Sequence, residues 1–319
     1  MEGGNLTEFA QNVGRCSDFY VTFYWKTAAT GAHFYISIVA IFINIPLSLL
    51  GTLINVLVIY ANVKENYLRT SSATLFVVLA CSNLLIATLV QPLSIARTMK
   101  EVQGTHDCLL STFARLTLLF SCGVSLLTVA IISVERFITL AYPLRYQSII
   151  TPTRLNIVVA STWLTIFTLV ISHLGLIPYN ILTSLGAIII LLTILTITIV
   201  WIWIYRLLRR HKKRIKTIQT PSSTTGNSPN SKQEFRNTRT SYLIVVALLL
   251  CYLPSFVFLA YCSTEPNNFV ALFLVSPCVE TIMFFNSVLN PVLFLWRKRE
   301  FRNTARELLF KMSCIGHSV

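Results

Sequence analysis

An acid and a base stand side by side at the end of a long apolar run, in the sequence Glu135-Arg136-Phe137. A carboxylate and a guanidinium form a strong charge-assisted hydrogen bond, and either partner can exchange it for another. Charges beside hydrocarbon are costly, so such a pair usually has a task. The alternative is a pair without a functional task, whose side chains simply extend from the end of the helix to the membrane–water interface. The chemistry that we expect here is a switchable ion pair.

Amide and hydroxyl side chains lie inside several apolar segments. Lipid offers them no hydrogen-bond partner, so they should turn inward and bond one another. Six of them come from four segments at similar depth: Asn55, Asn83, Ser125, Asn286, Ser287 and Asn290. Two interpretations stay open, namely static bonding between helices and a polar core that rearranges.

Four ionisable residues, Arg97, Arg115, His173 and Glu280, lie toward the opposite ends of these segments. Buried charges need partners, so one interpretation is that Arg115 and Glu280 neutralise each other. The other is that Arg97 and Arg115 receive an anionic group of a ligand. The sequence has no spacing typical of metal ligands, a phosphate-binding glycine loop or a catalytic triad, so we expect neither an enzyme nor a metal site.

Long apolar segments must position these residues. Of the 319 residues, 54% are apolar and 12% charged, about half the charged fraction of a soluble domain. Seven segments can each cross a bilayer as a helix of about 20 residues. The fold class is therefore an all-α integral membrane protein, a seven-transmembrane-helix bundle. The spans are predicted at 34–61, 72–97, 109–134, 155–177, 182–205, 240–262 and 269–295.

Lysine and arginine are distributed unequally between the two sets of loops. Most of the 26 follow the first, third, fifth and seventh spans. Such an excess marks the cytoplasmic side, which predicts an extracellular N-terminus and a multi-pass protein of the plasma membrane. The same bias explains the net charge of +14 without a nucleic-acid partner.

The chain is predicted to contain one domain, the seven-helix unit of residues 34–296. Residues 217–235 are rich in Ser, Thr, Pro and Asn, a composition that predicts a flexible cytoplasmic loop. Residues 1–33 are predicted to be an extracellular tail, in which Asn5 begins a glycosylation sequon.

Residues 297–319 follow the last span. Apolar residues at helical spacing among basic ones predict a short amphipathic helix on the cytoplasmic membrane surface, followed by a tail. Cys314 in this tail is a candidate for palmitoylation. Membrane lipid is therefore an expected partner.

Motifs in or directly after six of the spans occur in an order that resembles the rhodopsin-like G-protein-coupled receptors over about residues 34–312. Each motif is weak alone, but their joint order and spacing are specific. Besides Glu135-Arg136-Phe137 they are Asn55 within 51–58, Asn83 within 79–84, Trp163, Cys251-Tyr252-Leu253-Pro254 and Asn290-Pro291-Val292-Leu293-Phe294.

The resemblance implies a cytoplasmic switch centred on Arg136. Glu135 would hold Arg136 locally, and Glu234 falls where the family has a second acidic partner in span six. Breaking these pairs would let span six swing outward and admit a heterotrimeric G protein, with arrestin as a further partner. The hinge residues implied in spans six and seven are Tyr252, Pro254, Pro291 and Phe294.

Several positions depart from the family pattern. Asn83 replaces the usual Asp, so a bound sodium ion is doubtful, and we expect no other cofactor. Phe294 and Trp201 stand where the family often has tyrosines, which predicts a different contact in the active state. Leu118 stands where amine receptors carry Asp, so the expected ligand is a lipid, a nucleoside or a peptide.

Four cysteines on the predicted outer side allow three full pairings. They are Cys16, Cys108, Cys262 and Cys278. The family's usual bridge needs a cysteine between spans four and five, where this chain has none. We predict a disulfide between Cys262 and Cys278, which leaves Cys16 and Cys108 as the remaining two outer cysteines. Together with a span five that lacks proline, this resembles the melanocortin, adenosine, cannabinoid and lysophospholipid branch, particularly melanocortin-like receptors.

Two other functions compete with a ligand-activated receptor. A transporter or channel would favour an internal repeat or broken helices, and neither is evident in the sequence. A receptor-like protein that signals without a ligand is the alternative favoured by the missing Asp and Tyr.

Overall fold

The computed structural model describes residues 31–64, 71–103, 105, 107–172, 179–218, 246, 249–261, 264 and 269–297. These residues form helices and turns, and none of them is in a strand. The predictions for Asn5, Cys16, His173, Glu234, Cys262, Cys314 and the helix after span seven lie outside them.

Seven long helices, α1 to α7, account for most of the described chain. They are α1 (Ala32–Lys64), α2 (Ser71–Leu85, a π-helical turn Ile86–Val90, then Gln91–Val102), α3 (Cys108–Ala141), α4 (Pro152–Ile171), α5 (Tyr179–Ile218), α6 (Leu249–Tyr261) and α7 (Phe269–Arg297). By length and composition, α1 to α5 can each cross a membrane. The fold class predicted from the sequence is confirmed. Helix α5 ends later than predicted, so the basic residues 206–216 continue the helix.

Helix α3 lies at the centre of the bundle and packs against α2, α4 and α5, while α1 packs against α2 and α7. The main core lies between these helices, where Leu75, Val129, Ile197 and Phe284 are fully buried. The outer faces instead expose large apolar side chains such as Phe42 and Leu164. This distribution suits a bundle surrounded by hydrocarbon.

The π-helical turn in α2 follows from a proline. The N–H of Gln91 bonds to the carbonyl of Ile86, five residues back. In the same pattern, the carbonyl of Ala87 would accept a hydrogen bond from the N–H of residue 92. Residue 92 is a proline, which has no N–H. The hydroxyl of Ser48 in α1 donates to Ala87 O at 2.7 Å instead. A contact between two helices thus satisfies the backbone group that the proline leaves unpaired.

Helix α1 approaches its neighbours most closely at Gly51. A Cβ atom at this position would lie 3.0 Å from Ala87 Cβ and 3.2 Å from Ser287 Oγ. A side chain here would push its neighbours away by a few tenths of an ångström, so glycine allows the closest approach. The glycine therefore sets the spacing of α1, α2 and α7 beside the polar residues described below.

The connection between α2 and α3 is held by Asp107. Its carboxylate caps α3 by accepting from the N–H of Leu110 at 3.1 Å, and it accepts from Lys100 Nζ at 2.6 Å. The bond from Lys100 is the main cause that lowers the pKa of Asp107, and the Leu110 N–H adds to it.

Candidate functional site

The Glu135-Arg136 pair lies near the end of α3, where Glu135 is 1% exposed. The Nε atom of Arg136 lies 3.4 Å from Glu135 Oε2. The guanidinium carbon of Arg136 also lies 5.7 Å from the ring centre of Phe76 in α2, as in a cation–π contact. The arginine is therefore held by its neighbour in sequence and by an aromatic ring of a second helix.

A tyrosine from the following connection holds the acid. The hydroxyl of Tyr146, in the single helical turn Tyr146–Ile149, donates to Glu135 Oε1 at 2.7 Å. The hydroxyl of Thr139 lies 3.4 Å from the same oxygen. A buried carboxylate needs such donors, because leaving it unpaired is strongly unfavourable. Glu135 is thus bound through one oxygen to the connection and through the other to Arg136.

Two aromatic side chains of α5 contact α3 next to this ion pair. The Nε1 atom of Trp201 donates to Ser133 Oγ at 3.2 Å, and both residues are buried. The rings of Phe137 and Trp203 meet edge to face with their centres 6.1 Å apart. Trp201 thus has a hydrogen-bond partner in α3, on the residue two positions before Glu135.

The predicted polar core is assembled from four helices. Asn55 in α1 donates to the carbonyl of Ser287 in α7 at 2.9 Å and to that of Gly51 at 2.8 Å. The hydroxyl of Ser125 in α3 lies 3.3 Å from Asn83 Oδ1 in α2. These bonds join α1 to α7 and α2 to α3 through residues that the sequence singled out.

The two remaining members of the polar core, Asn286 and Asn290, are buried in α7. Both Asn286 amide atoms and both Asn290 amide atoms make no hydrogen bond to any residue that the structure describes. Unpaired buried amides are costly, so they favour an arrangement that gives them partners. They therefore distinguish this part of α7 from the contact at Asn55, whose amide nitrogen donates to two carbonyls.

The predicted hinge residues occupy α6 and α7. Tyr252 is fully buried, and its hydroxyl donates to the carbonyl of Cys122 in α3 at 3.1 Å. Pro254 lies half-buried one helical turn beyond the start of the described α6, and Pro291 is buried within α7. The backbone of Phe294 belongs to α7, but its side chain is not among those described.

A second group of charges lies at the other end of the bundle, between α2 and α7. Arg97 Nη2 donates to both carboxylate oxygens of Glu280 at 2.9 Å, and its Nε lies 3.5 Å from Glu101. The hydroxyl of Ser94 donates to Glu280 as well, at 3.1 Å. The sequence suggested Arg115 as the partner that neutralises Glu280, whereas the structure pairs Glu280 with Arg97. Arg115 is half-buried in α3.

One of the two cysteines of the predicted disulfide is described. Cys278 is a free thiol in α7, and its Sγ lies 3.9 Å from the carbonyl of Leu274, one turn earlier. Cys262 lies outside the described residues, so the Cys262–Cys278 pairing stays a prediction. Cys108 opens α3, and nothing is described of its side chain.

Sequence reasoning identified the buried amides and the acid-base pair, but it missed their partners. Tyr146, Ser133 and Phe76 carry no signal in the sequence, because a tyrosine, a serine and a phenylalanine are ordinary in these surroundings. Asn44 was also missed, although an asparagine inside the first span is a signal of the kind used for Asn55.

Comparisons with known proteins agree with this architecture. The family described as 7 transmembrane receptor (rhodopsin family) matches residues 54–177. An adenosine receptor A2a from Equus caballus is 26% identical over 306 residues, which cover 86% of this chain and 72% of that receptor.

Two further relatives belong to the same class. A melanocortin receptor 5 from Rattus norvegicus is 25% identical, with 86% of this chain and 87% of the relative covered. A histamine H2 receptor from the same species is 25% identical, with 83% and 77% covered. These relatives are receptors rather than enzymes.

The bundle and its buried polar residues define a multi-pass membrane protein with a seven-helix fold. The matches support a rhodopsin-like (class A) G-protein-coupled receptor, because the chain is similar to that family over residues 54–177 and to adenosine and melanocortin receptors over most of its length.

Proposed function

We propose that this receptor lies in the plasma membrane with its N-terminus outside and activates a heterotrimeric G protein when an extracellular ligand binds. In the resting state Arg136 stays on Glu135 and Phe76. Activation releases Arg136 and lets α6 move outward, which opens the cytoplasmic end of the bundle. A ligand drives this change only if it binds the open state more tightly than the closed one.

The observation that carries this proposal is the bonding of Glu135. A carboxylate that is 1% exposed, bonded by Tyr146 at 2.7 Å and lying 3.4 Å from Arg136 supports a defined closed state. Both partners are long side chains that can turn away from Glu135, so the arrangement can open. The unequal distribution of basic residues supports the cytoplasmic assignment of this end.

The rest of the bundle supports movement of α6. Tyr252 binds α6 to α3 through one hydroxyl, whereas the amides of Asn286 and Asn290 are positioned to accept new partners as the helices rearrange. Pro254 removes a backbone bond from α6, which permits a bend there.

We propose further that the ligand is a lipid, a nucleoside or a peptide. Leu118, half-buried in α3, provides no charge for the amine of a small aminergic ligand. An anionic group of a ligand would have to displace Glu280 before it could bind Arg97. This supports a ligand that does not need Arg97 as the partner of an anionic group.

Nucleotide exchange tests the proposed function directly. Purified receptor in lipid nanodiscs is mixed with a panel of G proteins, and GTP analogue uptake is followed with and without candidate lipids, nucleosides and short peptides. We expect exchange on at least one G protein and expect Arg136→Gln to abolish it. Exchange that needs no ligand would instead support the ligand-independent alternative.

Arg145→Gln is the matched control, because Arg145 is exposed and lies in the same cytoplasmic connection. It removes an equal charge without touching Glu135. If Arg136→Gln leaves exchange intact on every G protein, the proposed mechanism is wrong. Equal losses in both variants would show that only the total charge of this surface matters.

A further inference from the structure

A narrow crevice lies between α1, α2 and α7, next to the Arg97–Glu280 pair. Its enclosed space is about 10 Å³, which is room for one group the size of a water molecule, and it is partly open to the outside. Four polar side chains and four apolar ones line it: Asn44, Ser94, Thr98 and Glu280, with Ala40, Ile41, Ile95 and Pro277. The polar lining therefore comes from all three helices.

The orientation of the Asn44 amide follows from its neighbour. The hydroxyl of Thr281 donates to the carbonyl of Pro277 at 2.7 Å, so its oxygen can only accept from Asn44, whose Nδ2 lies 3.0 Å away. The Nδ2 atom thus faces Thr281. Oδ1 has no hydrogen-bond partner among the described residues, although Asn44 is 94% buried. A buried, unpaired acceptor in the wall of a crevice is costly unless something donates to it.

The two hydroxyls of the lining have already used their only hydrogen. Thr98 Oγ1 donates to the carbonyl of Ser94 at 2.8 Å, and Ser94 Oγ donates to Glu280 at 3.1 Å. Each hydroxyl oxygen keeps a lone pair, and the Glu280 carboxylate can only accept. The four polar side chains of the lining therefore offer acceptors to whatever enters the crevice.

The charged groups around the crevice balance one another, but the one that faces the crevice is negative. Glu280 contacts Arg97 at 2.9 Å, and Glu101 contacts it at 3.5 Å, so these two carboxylates share one guanidinium. His33, buried at the start of α1, is an electrostatic neighbour of Glu101. Arg115 in α3 carries a further positive charge of this half of the bundle. Of these charged groups, Glu280 alone is in the crevice lining.

We infer that this crevice binds a primary ammonium group of the ligand, such as the N-terminus or a lysine of a peptide. Three N–H donors and no acceptor match a lining of Asn44 Oδ1, Glu280 and hydroxyl lone pairs. The inference deepens the proposed function, since it gives the ligand a recognition group and a place. It also distinguishes this receptor from receptors in which an acidic residue of α3 binds the amine of the ligand.

Thermal unfolding of the whole purified receptor in nanodiscs tests this inference without a G protein. The probe is n-propylammonium, compared with 1-propanol, which has no charge, and propyltrimethylammonium, which has the charge but no N–H. We expect only n-propylammonium to raise the unfolding temperature, in a saturable way. An equal effect of the quaternary ion would overturn the inference, and so would a stronger, competing effect of sodium chloride.

Glu280→Gln and Glu101→Gln form a matched pair, because both remove one carboxylate from Arg97 but only Glu280 lines the crevice. We expect Glu280→Gln to weaken n-propylammonium binding about 10-fold or more, and Glu101→Gln to weaken it less than about 3-fold. Equal weakening in the two variants would mean that the probe responds to the overall charge of this region and does not bind in the crevice.

Asn44→Asp guards against a variant that merely misfolds. It places a carboxylate where the unpaired Oδ1 stands, and the Thr281 hydroxyl can turn from the carbonyl of Pro277 to donate to the other carboxylate oxygen. We therefore expect n-propylammonium to bind more tightly than to the wild type, and a gain cannot come from loss of structure. No gain would contradict the inference. Because these measurements need no nucleotide exchange, their failure leaves the proposed function to be judged by Arg136→Gln.

Discussion

Removing one hydroxyl from the cytoplasmic connection should raise the basal activity of this receptor. Tyr146 donates to Glu135 at 2.7 Å, and Glu135 is almost completely buried beside Arg136. Tyr146→Phe keeps the ring and deletes only the donor. The closed state then holds a carboxylate with one fewer strong bond, whereas the open state loses nothing if Tyr146 is released there.

The size of the effect follows from the kind of bond. A hydrogen bond to a charged group contributes about 1.5–3 kcal/mol, and water can replace part of it because Tyr146 is only half-buried. We therefore expect about 1.5–2 kcal/mol, which changes the ratio of open to closed receptor about 10- to 30-fold. A receptor that rests at about 1% open would move to about 10% open or more.

The assay is ligand-free nucleotide exchange in nanodiscs at equal receptor concentration. Tyr142→Phe is the control, because Tyr142 belongs to the same connection but is exposed. Glu135→Gln combined with Tyr146→Phe should give less than the sum of the two single effects, since both act through one bond. Unchanged basal exchange in Tyr146→Phe, or an equal rise in Tyr142→Phe, would refute this reasoning.

Three further changes test the fold around the site. Asp107→Asn keeps the helix cap but loses the ion pair with Lys100. Because the pKa of Asp107 is lowered, this ion pair stabilises the fold at neutral pH and is lost below about pH 4. At pH 7 the free energy of unfolding of the variant should therefore be lower by less than about 1 kcal/mol, and it should change less with pH in acid. Gly51→Ala should cost about 1–3 kcal/mol in thermal unfolding because its Cβ meets another Cβ at 3.0 Å, whereas Gly186→Ala, which meets only the tip of a leucine at 3.2 Å, should cost less. Trp201→Phe should lower stability by about 1 kcal/mol through the loss of its 3.2 Å bond to α3.

The sequence could predict the helices and the polar core because both follow from one physical rule. Hydrocarbon forces the backbone to bond within each segment, and it forces polar side chains such as Asn55 and Asn83 toward the interior. Neither inference needs to know how the helices are arranged. For that reason the spans and the burial of Asn55 and Asn83 follow from the pattern alone.

The ion pairs could not be assigned in the same way. One of the two interpretations paired Glu280 with Arg115 because buried charges need partners, but the choice of partner depends on rotation about the helix axis. The π-helical turn Ile86–Val90 adds a residue to one turn of α2 and so changes the face on which Arg97 lies. Tyr146 was missed for a related reason, since the path of a connection is set by contacts far apart in sequence.

The bonds of α7 explain how an event in the crevice can reach the ion pair on α3. Asn44 and Asn55 bind α1 to α7 at two levels, at Thr281 and at Ser287, so these helices should move together. Asn286 lies directly before the second contact and is buried without a described partner. We propose that a ligand bound at Glu280 moves α1 and α7 together, and that the Asn286 amide then gains a partner that favours the open state.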